Sequence, residues 1–147
     1  AAALVWQAAW IVRAHPLQNV YFNVLAGQGD LRHRFELDYW GLANRQALER
    51  ILAMDDSPRL VVIPGSFTPL HYSVMLLDPE QRQRLAVPPH RGPRTADEPH
   101  YLIDNYQFWE RWYSPDRFTE GYEPVQRIRV NGEIVLTIYR SIEDGEP

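Results

Sequence analysis

Glu36 and Asp38 stand two residues apart in the run Phe35-Glu36-Leu37-Asp38-Tyr39-Trp40. Two residues is the side-chain repeat of a β-strand, so the spacing predicts two carboxylates on one side of a strand, an arrangement that can serve as general acid and general base. At the end of a strand that feeds a helix, the same carboxylates can instead cap the helix or line a solvated face. No second motif supplies a nucleophile or a metal, which weighs toward the capping alternative. Asp38 is still the leading polar candidate, because open α/β sheets place ligands at the carboxyl ends of their strands. Ser66 lies where a nucleophile elbow would be, but Ile63-Pro64-Gly65-Ser66-Phe67 lacks the Gly-x-Ser-x-Gly frame of that turn and reads as a loop or capping serine. The loop also lacks the Gly-Lys of a phosphate-binding loop. His15, His33, His71, His90 and His100 form no His-x-x-x-His pair and have no carboxylate at ligand spacing, so no zinc site is expected. No catalytic residue, metal or cofactor is assigned from these patterns.

A second set of residues points to binding. Tyr39, Trp40, Asn105 and Tyr106 put aromatic rings and an amide at two expected strand ends, beside Asp38. Rings stack on the apolar C–H faces of sugars and amides bond hydroxyls, so these five residues are the candidate substrate-binding set. The competing reading makes Tyr39 and Trp40 core or helix-packing side chains.

The elements that must position them follow from periodicity. Phe35, Leu37 and Tyr39 alternate with polar neighbours and predict a strand with one buried face. Beyond Gly41 the repeat changes: Leu48, Ile51 and Leu52 recur at helical spacing, with Asn44, Arg45, Glu49 and Arg50 on the other side, an amphipathic helix. Asp55-Asp56-Ser57-Pro58 ends it. Leu60-Val61-Val62-Ile63 is a continuous apolar run that suits a parallel strand covered on both faces. Thr68-Pro69 predicts a helix with Thr68 as N-cap, and Asp78-Pro79-Glu80 predicts another short helix. Leu85-Ala86-Val87 suits a brief strand, Pro88 to Pro99 a surface loop, and Tyr101 to Tyr106 a further strand. Phe108, Trp109, Trp112 and Tyr113 lie at near-helical spacing, as packing aromatics do. Asn131-Gly132 between two alternating runs predicts a β-hairpin, since both residues tolerate the positive φ of a tight turn. The sum is an α/β three-layer sandwich: a mixed sheet whose parallel βαβ core uses the strands at Phe35, Leu60 and Tyr101, with a C-terminal antiparallel hairpin.

At 147 residues the chain suffices for one well-buried core. Its net charge of -4 argues against nucleic acid as a partner, which needs a basic stripe. All 15 basic residues are arginine and there is no cysteine, which removes disulfides and thiolate chemistry. Residues 1–14 are apolar but shorter than the roughly 20 residues of a full membrane span. They read either as a helix packed on the domain or as the end of a transmembrane helix, with Trp6 and Trp10 at interfacial depth and Arg13 at the headgroups. His15-Pro16 closes this helix. Residues 15–34 form a connector, in which Asn19 to Leu25 suits a short helix or an extended segment and Gly27-Gln28-Gly29-Asp30 a turn. Residues 35–147 form the single soluble domain.

Together with Tyr21-Phe22-Asn23, Leu25-Ala26-Gly27 and Leu102-Ile103-Asp104-Asn105-Tyr106, the run Leu37-Asp38-Tyr39-Trp40-Gly41-Leu42 resembles the soluble C-terminal domain of bacterial multi-pass membrane glycosyltransferases. These are of the dolichyl-phosphate-mannose protein mannosyltransferase-like class, which use lipid-linked sugars. The resemblance spans roughly residues 15–140. It departs from the family at Glu98-Pro99-His100, where the family runs from an Ala-Asp pair into the aromatic. The resemblance implies a membrane-anchored domain on the extracytoplasmic face, with a membrane span just before it. Its partners would be the membrane portion of the same polypeptide and a glycan or lipid-linked sugar. The family's catalytic acidic residue lies early in the membrane chain and has no counterpart here. A domain of this kind supports acceptor binding or stability and is inactive alone. A free-standing α/β binding or interaction module is the alternative.

Overall fold

The computed structural model describes residues 2–21, 31–88, 100–107 and 119–142. In chain order the elements are helix α1 (Ala2–Ala14), a 3-10 turn (Gln18–Val20), α2 (Leu31–Arg34), α3 (Asn44–Met54), strand β1 (Leu60–Pro64), α4 (Leu70–Val74), α5 (Pro79–Gln83), β2 (Leu85–Ala86), β3 (His100–Asp104), β4 (Tyr122–Val130) and β5 (Glu133–Ser141). The five strands form one sheet in the order β2-β1-β3-β5-β4. Both neighbours of β1 run parallel to it, and β5 pairs antiparallel with β3 and β4. This is the α/β class with a mixed sheet, a parallel βαβ core and a C-terminal antiparallel hairpin.

Alternation along the strands sorts the core into two faces. Leu60 and Val62 of β1, Tyr101 and Ile103 of β3 and Leu136 and Ile138 of β5 join Ala47, Leu48 and Ile51 of α3 in the larger cluster. Leu31, Leu70 and Leu77 bring α2, α4 and the turn after α4 onto this face. Val61, Ile63 and Leu102 form a smaller cluster on the opposite face, with Ala86, Tyr122 and Tyr139 packed against it. All of Leu60 to Ile63 is therefore buried, as a continuous apolar run in a parallel strand should be. Each such side chain contributes about 1.5–3 kcal/mol relative to exposure.

The expected strand at Phe35 is absent. Residues 37–40 form a turn, and the third parallel strand is instead the short Leu85–Ala86 segment beside β1. The cause lies in Asp38 and Gly41. The Asp38 carboxylate accepts the N–H groups of Leu42 (2.7 Å) and Ala43 (3.1 Å), Gly41 N–H donates to the Asp38 carbonyl (3.1 Å), and Gly41 adopts φ +65°. These bonds turn the chain, so the alternation of side chains does not become a pleat. Burial confirms it: Leu37 and Asp38 are both buried, while Tyr39 and Trp40 both face out.

Other expectations shift by smaller amounts. α3 buries Leu48, Ile51 and Leu52 as read, but Asn44, placed on the polar side, is fully buried at its start. Arg45 and Glu49 do pair on the exposed side, one turn apart at 2.8 Å. α4 starts at Leu70 with Pro69 in the capping position, and Thr68 accepts a bond from Asn44 instead of capping. α5 begins with Pro79 in its first turn, and the Gln81 side chain accepts the Asp78 N–H (3.2 Å). The Asn131-Gly132 turn has φ of +53° and +88°, the geometry its hairpin requires. The turn at 27–30, most of the loop at 88–99 and the aromatics between 108 and 113 lie outside the described residues.

Among the described residues the N-terminal helix meets the rest of the chain through its last turns, where the half-buried Trp10 ring lies 5.4 Å from that of Tyr21. Ala14, Leu17 and Val20 are buried, and the Asn19 amide donates to the Leu37 carbonyl (2.7 Å), tying this connector to the Leu37–Trp40 turn. Leu4, Val5, Trp6, Ile11 and Val12 are exposed, so they supply no packing surface against the domain. Among the described residues no helix is long and apolar enough to cross a membrane.

Candidate functional site

β1 and β3 are adjacent and parallel, and their onward connections diverge. The chain leaves β1 toward β2 on one side, whereas β4 and β5, which follow β3, lie on the other. A crevice at the carboxyl ends of such a strand pair is where open α/β sheets hold ligands. Here that end is lined by Gly65 to Thr68 after β1, Asn105 to Gln107 after β3, and the Asp38–Asn44 turn that starts α3.

Close approach sets this corner. A Cβ on Gly65 would lie 2.5 Å from a Leu102 methyl, and Gly65 N–H extends the β1–β3 ladder to Ile103 O (2.7 Å). One residue on, the Ser66 hydroxyl donates to Asn105 Oδ1 and accepts the Asn105 N–H (3.2 Å). Asn105 Nδ2 then donates to the Asp38 carbonyl (2.8 Å), across 67 residues of sequence. A parallel bond from Asn44 Nδ2 to Thr68 Oγ1 (2.7 Å) clamps the start of α3 to the loop after β1. A Cβ on Gly41 would fall 2.6 Å from Asn44 Nδ2 and 2.8 Å from Thr68 Oγ1, so only glycine fits between them.

This network determines what each candidate can do chemically. Asp38 is 1% exposed, and burial pushes its carboxyl above the usual carboxylate range against the opposing pull of the Ala43 and Leu42 amides. Its two oxygens are already engaged by the N–H groups of Leu42 and Ala43, the two residues before α3, so it closes the turn that leads into the helix. Glu36 is exposed and Asp38 buried, so the two carboxylates share neither a strand face nor an environment. Ser66 gives its proton to Asn105 and has no base of the nucleophilic type beside it in this network.

The five residues of the predicted binding set divide three ways. Asp38 and Asn105 are buried and linked within the corner. Tyr39 and Trp40 project from it, 44% and 73% exposed, with their rings edge to face at 4.9 Å. Tyr106 turns away: it takes φ +61°, its N–H bonds Asp104 Oδ1 (2.7 Å), and its hydroxyl bonds Thr137 on β5. Asp104 and Thr137 are register partners across β3 and β5, and both are buried. Tyr139 sits with this polar group, its hydroxyl pushed far above the usual phenol range by burial and by Tyr106.

Sequence reasoning missed Asn44, Thr68, Asp104, Gln107 and Thr137. Asp104 carried a usable signal, a carboxylate ending the apolar run Tyr101-Leu102-Ile103. Asn44 and Gln107 carried none, since exposed and buried amides look alike in sequence. Both matter at this edge: Asn44 Oδ1 and Gln107 Oε1 are buried acceptors with no hydrogen-bond partner among the described residues. Unpaired buried acceptors are rare, and a hydroxyl or N–H donor would satisfy them. Among the described residues no group of histidine and acidic side chains is arranged to hold a metal ion. Comparison with protein families, with curated proteins and with solved structures finds no match to this chain.

Proposed function

We propose that the chain is the extracytoplasmic C-terminal domain of a membrane glycosyltransferase that uses a lipid-linked sugar, and that it supports acceptor binding or stability without performing the transfer. The observation that carries this reading is the bond between Asn105 and Asp38. It joins two of the four segments on which the resemblance rests, Leu37–Leu42 and Leu102–Tyr106, at one buried corner. The corner spends its carboxylate and its serine on structure and presents Tyr39 and Trp40 outward. Exposed aromatic rings on a hydrogen-bonded turn suit contact with a sugar face better than they suit acid–base chemistry. α1 agrees with the proposed anchor, being apolar apart from Gln7 and Arg13 and exposed over most of its length.

The reading frame upstream of Ala1 tests this directly. Several hydrophobic spans with an acidic pair near the beginning support the proposal. A natural start codon immediately before Ala1 would leave the free-standing binding module as the better account.

A further inference from the structure

α4 and the turn that follows it have two unlike faces. Leu70, Ser73 and Leu77 point into the protein and are buried. Tyr72, Met75 and Leu76, at helical spacing on the other side, are 64%, 66% and 63% exposed, and Phe67 at the leading end is 67% exposed. Between Phe67 and Leu77 there is no Asp, Glu, Lys or Arg. Large apolar side chains gathered in this way mark a contact surface, whereas single exposed ones do not.

We propose that this outward face of α4 is a lipid-contact surface that seats in the interfacial layer of a bilayer. Its area is on the order of 500 Å², below the roughly 800 Å² per partner that a stable protein interface buries. A second copy of the chain is therefore a poor occupant. Its side chains, two aromatics with a thioether and a leucine, are those an interfacial helix inserts at the headgroup and acyl boundary. The same chain exposes a second surface of this kind on α1, through Leu4, Val5, Trp6, Ile11 and Val12. The net charge of -4 gives no general attraction to anionic lipid, so insertion of apolar groups drives the contact and neutral bilayers suffice. The inference goes beyond the proposed function and does not depend on the chain's being part of a glycosyltransferase.

The absence of cysteine makes the test clean. Met75→Cys in the full chain carries a single nitrobenzoxadiazole label, and Arg129→Cys beside the hairpin turn carries the same label as a control. Both are made in a background with Leu4→Gln, Val5→Gln, Trp6→Gln, Ile11→Gln and Val12→Gln, so that α1 adds no affinity. With neutral phosphatidylcholine vesicles the label at position 75 should brighten and shift to the blue while the control does not change. In vesicle flotation, Tyr72→Ser, Met75→Gln and Leu76→Gln together should lower the bound fraction by about fivefold or more, with an unaltered melting temperature because the side chains are exposed. A silent label at position 75 in the presence of vesicles overturns the proposal. So does a blue shift that appears without lipid as protein concentration rises, which would assign the face to a second copy.

Discussion

Replacing Asp38 by alanine should destabilise the fold at a definite place, the start of α3. The carboxylate accepts from Leu42 N–H at 2.7 Å and Ala43 N–H at 3.1 Å, and Ala43 is fully buried. Losing a side-chain acceptor of backbone N–H groups costs about 0.5–2 kcal/mol where it has been measured at helix caps, and leaving a buried N–H without a partner costs about 1–3 kcal/mol. The two figures describe overlapping events, so the expected loss is about 2 kcal/mol. For a domain of this size that lowers the melting temperature by about 4–8 °C. Asp38→Asn keeps one acceptor and should lose about half as much. The pH dependence separates the two variants further. Burial raises the Asp38 carboxyl above its unfolded value of 3.8, so its contribution is full below 3.8 and is lost as pH rises through the raised value. The stability advantage of wild type over Asp38→Asn should therefore shrink as pH rises through that window. Calorimetric unfolding of the three proteins from acid to neutral pH is the assay. An Asp38→Ala protein that melts with wild type would refute the role of Asp38 in holding this turn, and an advantage that grows with pH would refute the dominance of burial.

Gly41→Ala should be more damaging than a surface glycine change, by about 2–3 kcal/mol, because φ is +65° and the new Cβ meets Asn44 Nδ2 at 2.6 Å; urea midpoints measure it. Tyr101→Phe removes the hydroxyl that donates to Asp55 Oδ2 at 2.8 Å and should cost about 1 kcal/mol at neutral pH. Burial tends to raise the Asp55 carboxyl, but bonds from Ser57 and Tyr101 outweigh it and hold the group below 3.8. That stability is present above 3.8 and is lost as pH falls through the lowered value, so wild type and Tyr101→Phe should converge in acid. The Tyr101 hydroxyl, raised to about 12 by burial and by Asp55, should remain protonated in a spectrophotometric titration through pH 10. Leu48→Ala, at a fully buried position of α3, should cost about 2–5 kcal/mol by chemical denaturation.

The architecture was legible where local chemistry has one solution. Asn131-Gly132 can hardly be anything but a tight turn, and the apolar run Leu60–Ile63 has no exposed face to offer. The turn at Asp38 was not legible. Leu37, Asp38 and Tyr39 alternate in polarity as a strand does, and the competing structure depends on hydrogen bonds from Asp38 to residues four and five positions on. An aspartate followed by a glycine and an amphipathic run carries that information, but alternation masks it. The corner itself illustrates a further limit. Asp38 and Asn105 were each picked out, yet their contact across 67 residues, and the roles of Asn44 and Thr68 beside it, arise only when β1 and β3 bring their ends together.

Glycosyl transfer by the full-length protein in proteoliposomes, with lipid-linked sugar and acceptor supplied, tests the account most directly. Transfer should occur with the full-length protein and be absent with the 147-residue chain alone. Trp40→Ala, at an exposed position whose loss leaves the fold intact, should raise the acceptor KM by about 10-fold, as loss of one aromatic contact of about 1.4 kcal/mol does, with little change in kcat. Turnover by the isolated chain, or an unaltered acceptor KM in the Trp40→Ala enzyme together with unchanged stability, would contradict it.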